Sequence, residues 1–452
     1  MYWLNQEGFV KSRLFVDMGQ DWEARQYHYH KLFVIAGALG ISVFGFELTM
    51  FRWISMVCFI VFIGLLWLFV KQHREGLTSR DYFIILLLLL CHSSIFQFSF
   101  TYRPEVMVMM FGFASFVLLC TAKQSTSLAN VVFSAIFAGL AAFTHLNGLI
   151  FIAAGFVVLV LDKHFKQAIT FGFVGSLTAL LYLYDINGLA EFSLLKQQLF
   201  EDPNILEKDY QAAGIFIKLL KEHERFFHSP QEISFSVLFF LAIYFNFKKI
   251  IEQYRRHLFY LIVLVVSLAL LSHGKTEKYA IIYYPHMAFF IMLWIKVILD
   301  ATSKIEIQRK FLVTFLVLYV GIQSHYFYDI IIKHEDVAGR AKQISQSLPK
   351  DCGVLLAYDG FIFNEIDNHK IDGYLGYLWY HSNYIYEDPS AKSFFEFVNR
   401  HDYKCIVIDL KTGHDFTQAI GIIDANIGEQ YDSYQVTAVT DSYVTLKSTA
   451  AD

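Results

Sequence analysis

The sequence predicts a polytopic α-helical membrane protein of about ten spans with juxtamembrane helices and a small C-terminal α/β extracytoplasmic domain. Three observations carry this prediction. Hydrophobic residues make up 56% of the 452 and charged residues only 17%, with a mean hydropathy of +0.42. Lys and Arg crowd into alternate loops between the apolar runs. Beyond about residue 330 the pattern changes from long apolar runs to short ones.

A soluble chain of this length would carry more surface charge. Heavy use of Phe (46) and Tyr (27) suits lipid-facing helices and interfacial belts. A net charge of −4 gives no reason to expect a nucleic-acid partner. The first 30 residues are polar and mixed, without the apolar core of a signal peptide.

Apolar runs read as membrane helices near 54–70, 82–100, 106–122, 129–143, 148–161, 167–184, 233–247, 257–272, 280–299 and 311–328. One set of short loops holds thirteen cations: Lys71, Arg74, Arg80, Lys123, Lys163, Lys166, Lys248, Lys249, Arg255, Arg256, Lys304, Arg309 and Lys310. The other set holds three, namely Arg103, Lys275 and Lys278. The positive-inside rule makes the first set cytoplasmic. The 185–232 loop, the tight turns at 101–105, 144–147 and 273–279, and everything past about 330 then face outward. The outer loop reads as partly helical: Ile215-Phe-Ile-Lys-Leu-Leu-Lys-Glu-His-Glu-Arg spaces its apolar residues as a surface helix does. The Gly-rich stretch 31–46 fits either a flat interfacial helix or a crossing. Flat, it leaves Asp17 and Asp21 outside; crossing, it leaves them inside. The expected domains are therefore 1–50 as first outer loop with juxtamembrane helix, 51–330 as transmembrane bundle, and 331–452 as α/β domain.

In the last of these, Gly353-Val-Leu-Leu-Ala-Tyr-Asp and Tyr403-Lys-Cys-Ile-Val-Ile-Asp-Leu are short apolar runs typical of buried strands. Ser393-Phe-Phe-Glu-Phe-Val-Asn-Arg reads as a helix, and 434–440 with 443–447 as a terminal hairpin. The domain has no Gly-rich phosphate loop and no nucleophile elbow, which fits a lid or scaffold. Cys58, Cys91 and Cys120 lie in apolar runs and read as packing residues. Cys352 and Cys405 fit either a disulfide or two free thiols.

Four polar groups stand out, the first three at the predicted outer face. Arg103-Pro104-Glu105 opens a helix, where a carboxylate in the first turn is structurally ordinary. It also brings a guanidinium and a carboxylate to the bilayer surface. His273-Gly-Lys-Thr-Glu-Lys-Tyr contributes Lys275, Lys278 and Tyr279 on the cation-poor side. Snorkelling accounts for such lysines, and so does phosphate binding, since ammonium groups hold phosphate as point charges. Phe143-Thr-His-Leu-Asn-Gly forms a tight turn in which Asn147 and Gly148 serve the backbone, leaving His145 for a pocket wall. Asp17, Asp21, Glu23 and Tyr27-His-Tyr-His form the fourth group. Histidines two apart do not share a helix face, so no helical metal pair arises.

In this order the motifs resemble those of GT-C superfamily glycosyltransferases, in the branch of protein O-mannosyltransferases and the aminoarabinose transferase of lipid A. Tyr27-His-Tyr-His, the stretch ending Val43-Phe-Gly, and Arg52 opening a span resemble the family's first outer loop and juxtamembrane helix. Tyr102-Arg-Pro-Glu resembles its second acidic site, Ala141-Ala-Phe-Thr-His-Leu-Asn-Gly its Gly-rich segment, and Lys278-Tyr-Ala-Ile-Ile-Tyr-Tyr-Pro-His the segment near the lipid phosphate. The resemblance places 31–46 flat, with Asp17 and Asp21 outside.

It implies sugar transfer from a polyprenyl-phosphate donor to a lipid, glycan or protein acceptor on the outer face, with the protein in the bacterial inner membrane. Asp17, Asp21 and Glu105 are the catalytic candidates. Arg103, Lys275, Lys278 and Tyr279 are the donor and phosphate candidates, with His145 in the pocket. No cofactor beyond the lipid-linked donor is required, and a divalent metal is left open. The chain departs from the family by lacking its first span and the Asp-Glu pair that follows it. Two other functions therefore stay in view: a transporter or flippase of a lipid-linked or anionic solute, and an inactive, truncated scaffold. The mid-span regions carry few ionisable residues besides His92, which weighs against a transporter.

Overall fold

A computed structural model describes residues 1–449 except 15, 17–21, 73–75, 121–126, 201–211, 273–276, 302–305, 333–335, 381–389, 412–413 and 423. The chain forms two compact units. One comprises residues Met1–His28, Asn187–Asn204 and Glu335–Asp452; the other comprises Tyr29–Ile186 and Ile205–His334.

The larger unit is a helical bundle, and each of the ten apolar runs is helical in it. Among the described residues, three helices are long and apolar enough to cross a bilayer: Leu48–Gln72, Pro230–Gln253, and the helix beginning at Glu306 that is described as far as Ile332. The run at 82–100 breaks into Ser79–Leu90 and Ser93–Phe100, bent by 77°, and counts as a fourth if the pair is one span. Several other apolar helices are shorter, among them Pro104–Cys120, Leu128–Thr144, Leu149–Leu161 and Arg255–Leu271. Exposed Trp53, Ile60, Phe133, Phe173 and Phe240 give the bundle the apolar outer surface that lipid requires.

Inside the bundle, packing rather than water exclusion holds helix to helix, because lipid tails are as apolar as the core. The interior is accordingly aromatic, with Phe62, Phe69, Phe113, Phe116 and Phe289 all buried and Phe69 edge-on to Phe289 at 5.3 Å. Small residues let backbones approach. A Cβ on Gly139 would lie 2.7 Å from the Gly175 carbonyl oxygen, so only glycine permits the contact of Leu128–Thr144 with Phe165–Ala179.

The bend at residues 90–93 frees backbone groups that a straight helix would pair. A distant side chain takes one of them up, the Ser93 N–H donating to Gln323 Oε1 at 2.8 Å, while the Ser93 hydroxyl donates to Gln231 Oε1 at 2.5 Å. The Gly-rich stretch forms the helix Lys31–Phe44, closed by Gly45 at φ 80°, a conformation natural only to glycine. Lys278 does not open an α-helix. It lies in the 3₁₀ segment Glu277–Ile282, and the α-helix Tyr284–Asp300 starts only where Pro285, without an N–H, occupies the first turn.

The smaller unit holds a six-stranded sheet. Its strands are β1 (Val354–Ala357), β2 (Lys370–Gly373), β3 (Cys405–Asp409), β4 (Gln430–Tyr431), β5 (Tyr434–Val439) and β6 (Tyr443–Ser448). The order is β2-β1-β3-β6-β5-β4, with β2, β1 and β3 parallel and the rest antiparallel. Helices Asp359–Glu365 and Ala391–Arg400 make the crossovers from β1 to β2 and from β2 to β3. All five residues of β3 are buried, as a continuous apolar run implies. Residues near the N-terminus complete the unit. The Arg13 guanidinium grips both oxygens of Asp372, and the Gly373 N–H donates to the Arg13 carbonyl at 2.8 Å.

Cys352 and Cys405 are joined by a disulfide that closes a separation of 53 residues. Loop-closure entropy for that length predicts about 4 kcal/mol of stabilisation. A Cys352→Ser/Cys405→Ser variant should therefore unfold several degrees lower than the native chain in detergent, and reductant should lower the native melting temperature alone. Identical melting with and without reductant would contradict this.

Candidate functional site

The site is best followed along the bundle from Arg103 outward. Extended residues precede Pro104, and Tyr102 there stacks on Phe33 at 4.0 Å while its hydroxyl donates to the Phe33 carbonyl at 2.8 Å. This anchors the turn to the helix Lys31–Phe44. Arg103 and Glu105 form a two-pronged pair, Nε to Oε2 at 3.0 Å and Nη2 to Oε1 at 2.6 Å. Glu105 is 2% exposed, whereas the Arg103 side chain is 31% exposed. The carboxylate is thus sheltered and fixes a guanidinium whose outer edge stays accessible.

Tyr279 sits beside this pair. Burial foremost, and then the Glu105 charge, push its phenol up to about 12, against the opposing effect of Arg103 and Arg225. At neutral pH it is therefore a protonated hydroxyl on which the charges of Arg103 and Arg225 both act. Arg225 lies 5.5 Å from the Tyr279 ring centroid and is itself completely buried. Its charge is met by Glu222 at 2.9 Å, and it donates to the Ser272 hydroxyl at 2.7 Å; Glu222 also accepts from Tyr283 at 3.0 Å.

Tyr279 also meets His145. Its Nδ1 accepts the Asn147 N–H at 3.0 Å, so in the neutral ring the proton is on Nε2, which lies 3.2 Å from the Tyr279 hydroxyl. A Cβ on Gly148 would fall 2.2 Å from the Ala141 carbonyl, which explains the glycine in this turn. The His30 ring stacks on His145 at 4.4 Å. Next in sequence, Lys31 is fully buried, ion-paired with Asp185, and set near the rings of Tyr29, Tyr182 and Tyr184. Tyr29 donates to the other Asp185 oxygen at 2.9 Å.

Of the residues expected from sequence, Arg103, Glu105, Tyr279 and His145 therefore lie in one cluster. Lys278 is half-buried next to Tyr279 in the chain. Asp17, Asp21 and Lys275 lie outside the described residues. Sequence reading passed over Arg225, Glu222, Lys31 and Asp185, and took in His30 only as part of Tyr27-His-Tyr-His. A signal existed for some of them: Glu222 and Arg225 are spaced three apart, and Lys31 heads an apolar helix. Among the described residues, no three His, Cys, Asp or Glu side chains gather as a metal site.

No protein-family profile and no curated protein sequence matches this chain. Solved structures do. ArnT from Cupriavidus metallidurans bound to undecaprenyl phosphate aligns with a TM-score of 0.56 at 11% identity, over 98% of this chain and 95% of that one. The oligosaccharyltransferase of Archaeoglobus fulgidus, solved with Zn and sulfate, aligns with a TM-score of 0.53 at 13% identity, over 88% of this chain and 62% of that one. Identities this low speak to fold. The chain shares the fold of these two proteins, and with its apolar helices it is an integral membrane protein.

Proposed function

We propose that the protein transfers a sugar from a polyprenyl-phosphate donor to a hydroxyl of a lipid, glycan or protein acceptor on the outer face of a bacterial inner membrane. In this reading all ten apolar helices belong to the membrane bundle, Lys31–Phe44 lies along its outer surface, and the α/β domain is extracytoplasmic. The Cys352–Cys405 disulfide is in keeping with an oxidising compartment.

The observation that carries the reading is the cluster in which the accessible Arg103 guanidinium, fixed by Glu105, and the buried Arg225 both act on the Tyr279 phenol. In the proposed reaction the acceptor oxygen bonds to the anomeric carbon as the bond from that carbon to the phosphate oxygen breaks. Arg103, with the ammonium groups of Lys275 and Lys278, stabilises the charge growing on the leaving phosphate. The Tyr279 hydroxyl donates to the same group. A phosphate leaves without protonation, so one base is enough; it takes the acceptor proton. Glu105 has both oxygens on Arg103 and acts by orienting it. The base is assigned to the first-loop carboxylates, Asp17 or Asp21.

Purified protein in lipid vesicles, given polyprenyl-phosphate sugars and membrane acceptors, tests this. Transfer should be detected, and Asp17→Asn or Asp21→Asn should slow it by about 10²–10⁴-fold. Full activity in the double Asp17→Asn/Asp21→Asn variant would remove both as base. Lipid movement without covalent transfer would favour a transporter.

A further inference from the structure

We infer that the bundle carries a headgroup site for an anionic membrane phospholipid at the opposite end from the Arg103 cluster. A cavity of about 190 Å³ opens there, lined by Val158, Leu161, Asp162, Arg255, Arg256 and Phe259. These residues come from the end of helix Leu149–Leu161 and the start of helix Arg255–Leu271. The loops they border belong to the cation-rich set, which the positive-inside rule assigns to the cytoplasmic face.

The lining has two chemistries. Leu161 and Phe259 are exposed apolar side chains, and Val158 closes the wall behind them. Arg255 and Arg256 supply two cations against the single carboxylate of Asp162, which pairs with Arg256 at 2.9 Å. Both arginines open a helix, where the macrodipole disfavours positive charge, so an anion between them relieves that cost. Guanidinium forks match a phosphodiester, and the apolar wall matches the first methylenes of an acyl chain. A free phosphate would satisfy only the arginines; a zwitterionic lipid would bring its own cation against them. Charge complementarity therefore selects an anionic phospholipid, as basic pockets at the cytoplasmic ends of membrane helices do elsewhere.

The site is independent of the transferase reading, and its test uses no activity. The full chain, delipidated in detergent, is titrated in native mass spectrometry with phosphatidylglycerol, with phosphatidylcholine, and with inorganic phosphate. Phosphatidylglycerol should bind in preference to phosphatidylcholine, and inorganic phosphate should not compete with it at equal concentration. Arg255→Ala should weaken phosphatidylglycerol binding about fivefold, the equivalent of about 1 kcal/mol per cation. Arg255→Glu should weaken it further; Arg255 is exposed, so neither change should disturb folding. Equal binding of the two lipids, native-like binding by Arg255→Glu, or full competition by inorganic phosphate would each overturn the proposal.

Discussion

Arg103→Ala is expected to slow sugar transfer by about 10²–10³-fold, the usual cost of deleting one preorganised group that meets developing charge. The side chain is exposed enough to reach a lipid headgroup, and Glu105 fixes its direction through both carboxylate oxygens. Deleting the guanidinium alone strands Glu105, which is 2% exposed, without its counter-charge. The informative variant is therefore Arg103→Ala/Glu105→Gln, which removes both charges together. It should accumulate in membranes and still be slow. Arg103→Lys, which keeps the charge but loses the fork, should fall between it and the native rate. Native-like transfer by the folded double variant would show that Arg103 plays no part in the chemistry.

The second large effect concerns stability. Arg225 is wholly buried among Glu222, Ser272 and the Tyr279 ring, and Glu222 also takes the Tyr283 hydroxyl. Arg225→Leu leaves that carboxylate buried and unmatched, which costs about 3–5 kcal/mol. Glu222→Gln/Arg225→Leu removes the stranded charge and should recover most of the loss. Thermal unfolding in detergent of the native chain, Arg225→Leu, Glu222→Gln and the double variant closes the cycle. Additive single changes would mean that the two groups are not energetically coupled.

The helices were legible because each apolar run is long and bounded by polar loops. The strands β1 and β3 were legible because they are unbroken apolar runs that stop at Asp. By contrast, β2 is Lys370-Ile-Asp-Gly, with one large apolar residue and no period, and β4 is only two residues long. The 77° bend inside 82–100 has no Pro or Gly to announce it. What stabilises it is Gln323, 230 residues away, and local pattern says nothing about such a partner. The same holds in the candidate site. Arg103 and Glu105 are neighbours in sequence and were found together. Lys31 and Asp185 are 154 residues apart, and nothing local to either position names the other as its partner. Arg225 was hidden for another reason: a charged segment with helical spacing reads equally well as a wetted surface, and only packing buries it.

The smaller unit draws on three separated stretches, so its order of assembly during synthesis is constrained. The Arg13–Asp372 contact joins residues 359 apart, and the innermost strand, β3, lies later still in the chain. Arg13 must wait for its sheet partners Asp372 and Gly373 while the whole bundle is made and inserted. High contact order of this kind slows folding and leaves early segments open to wrong partners. Nascent chains halted before residue 405 should hold an inserted bundle with a protease-sensitive N-terminal segment, which becomes resistant only once the last strands have been released from the ribosome.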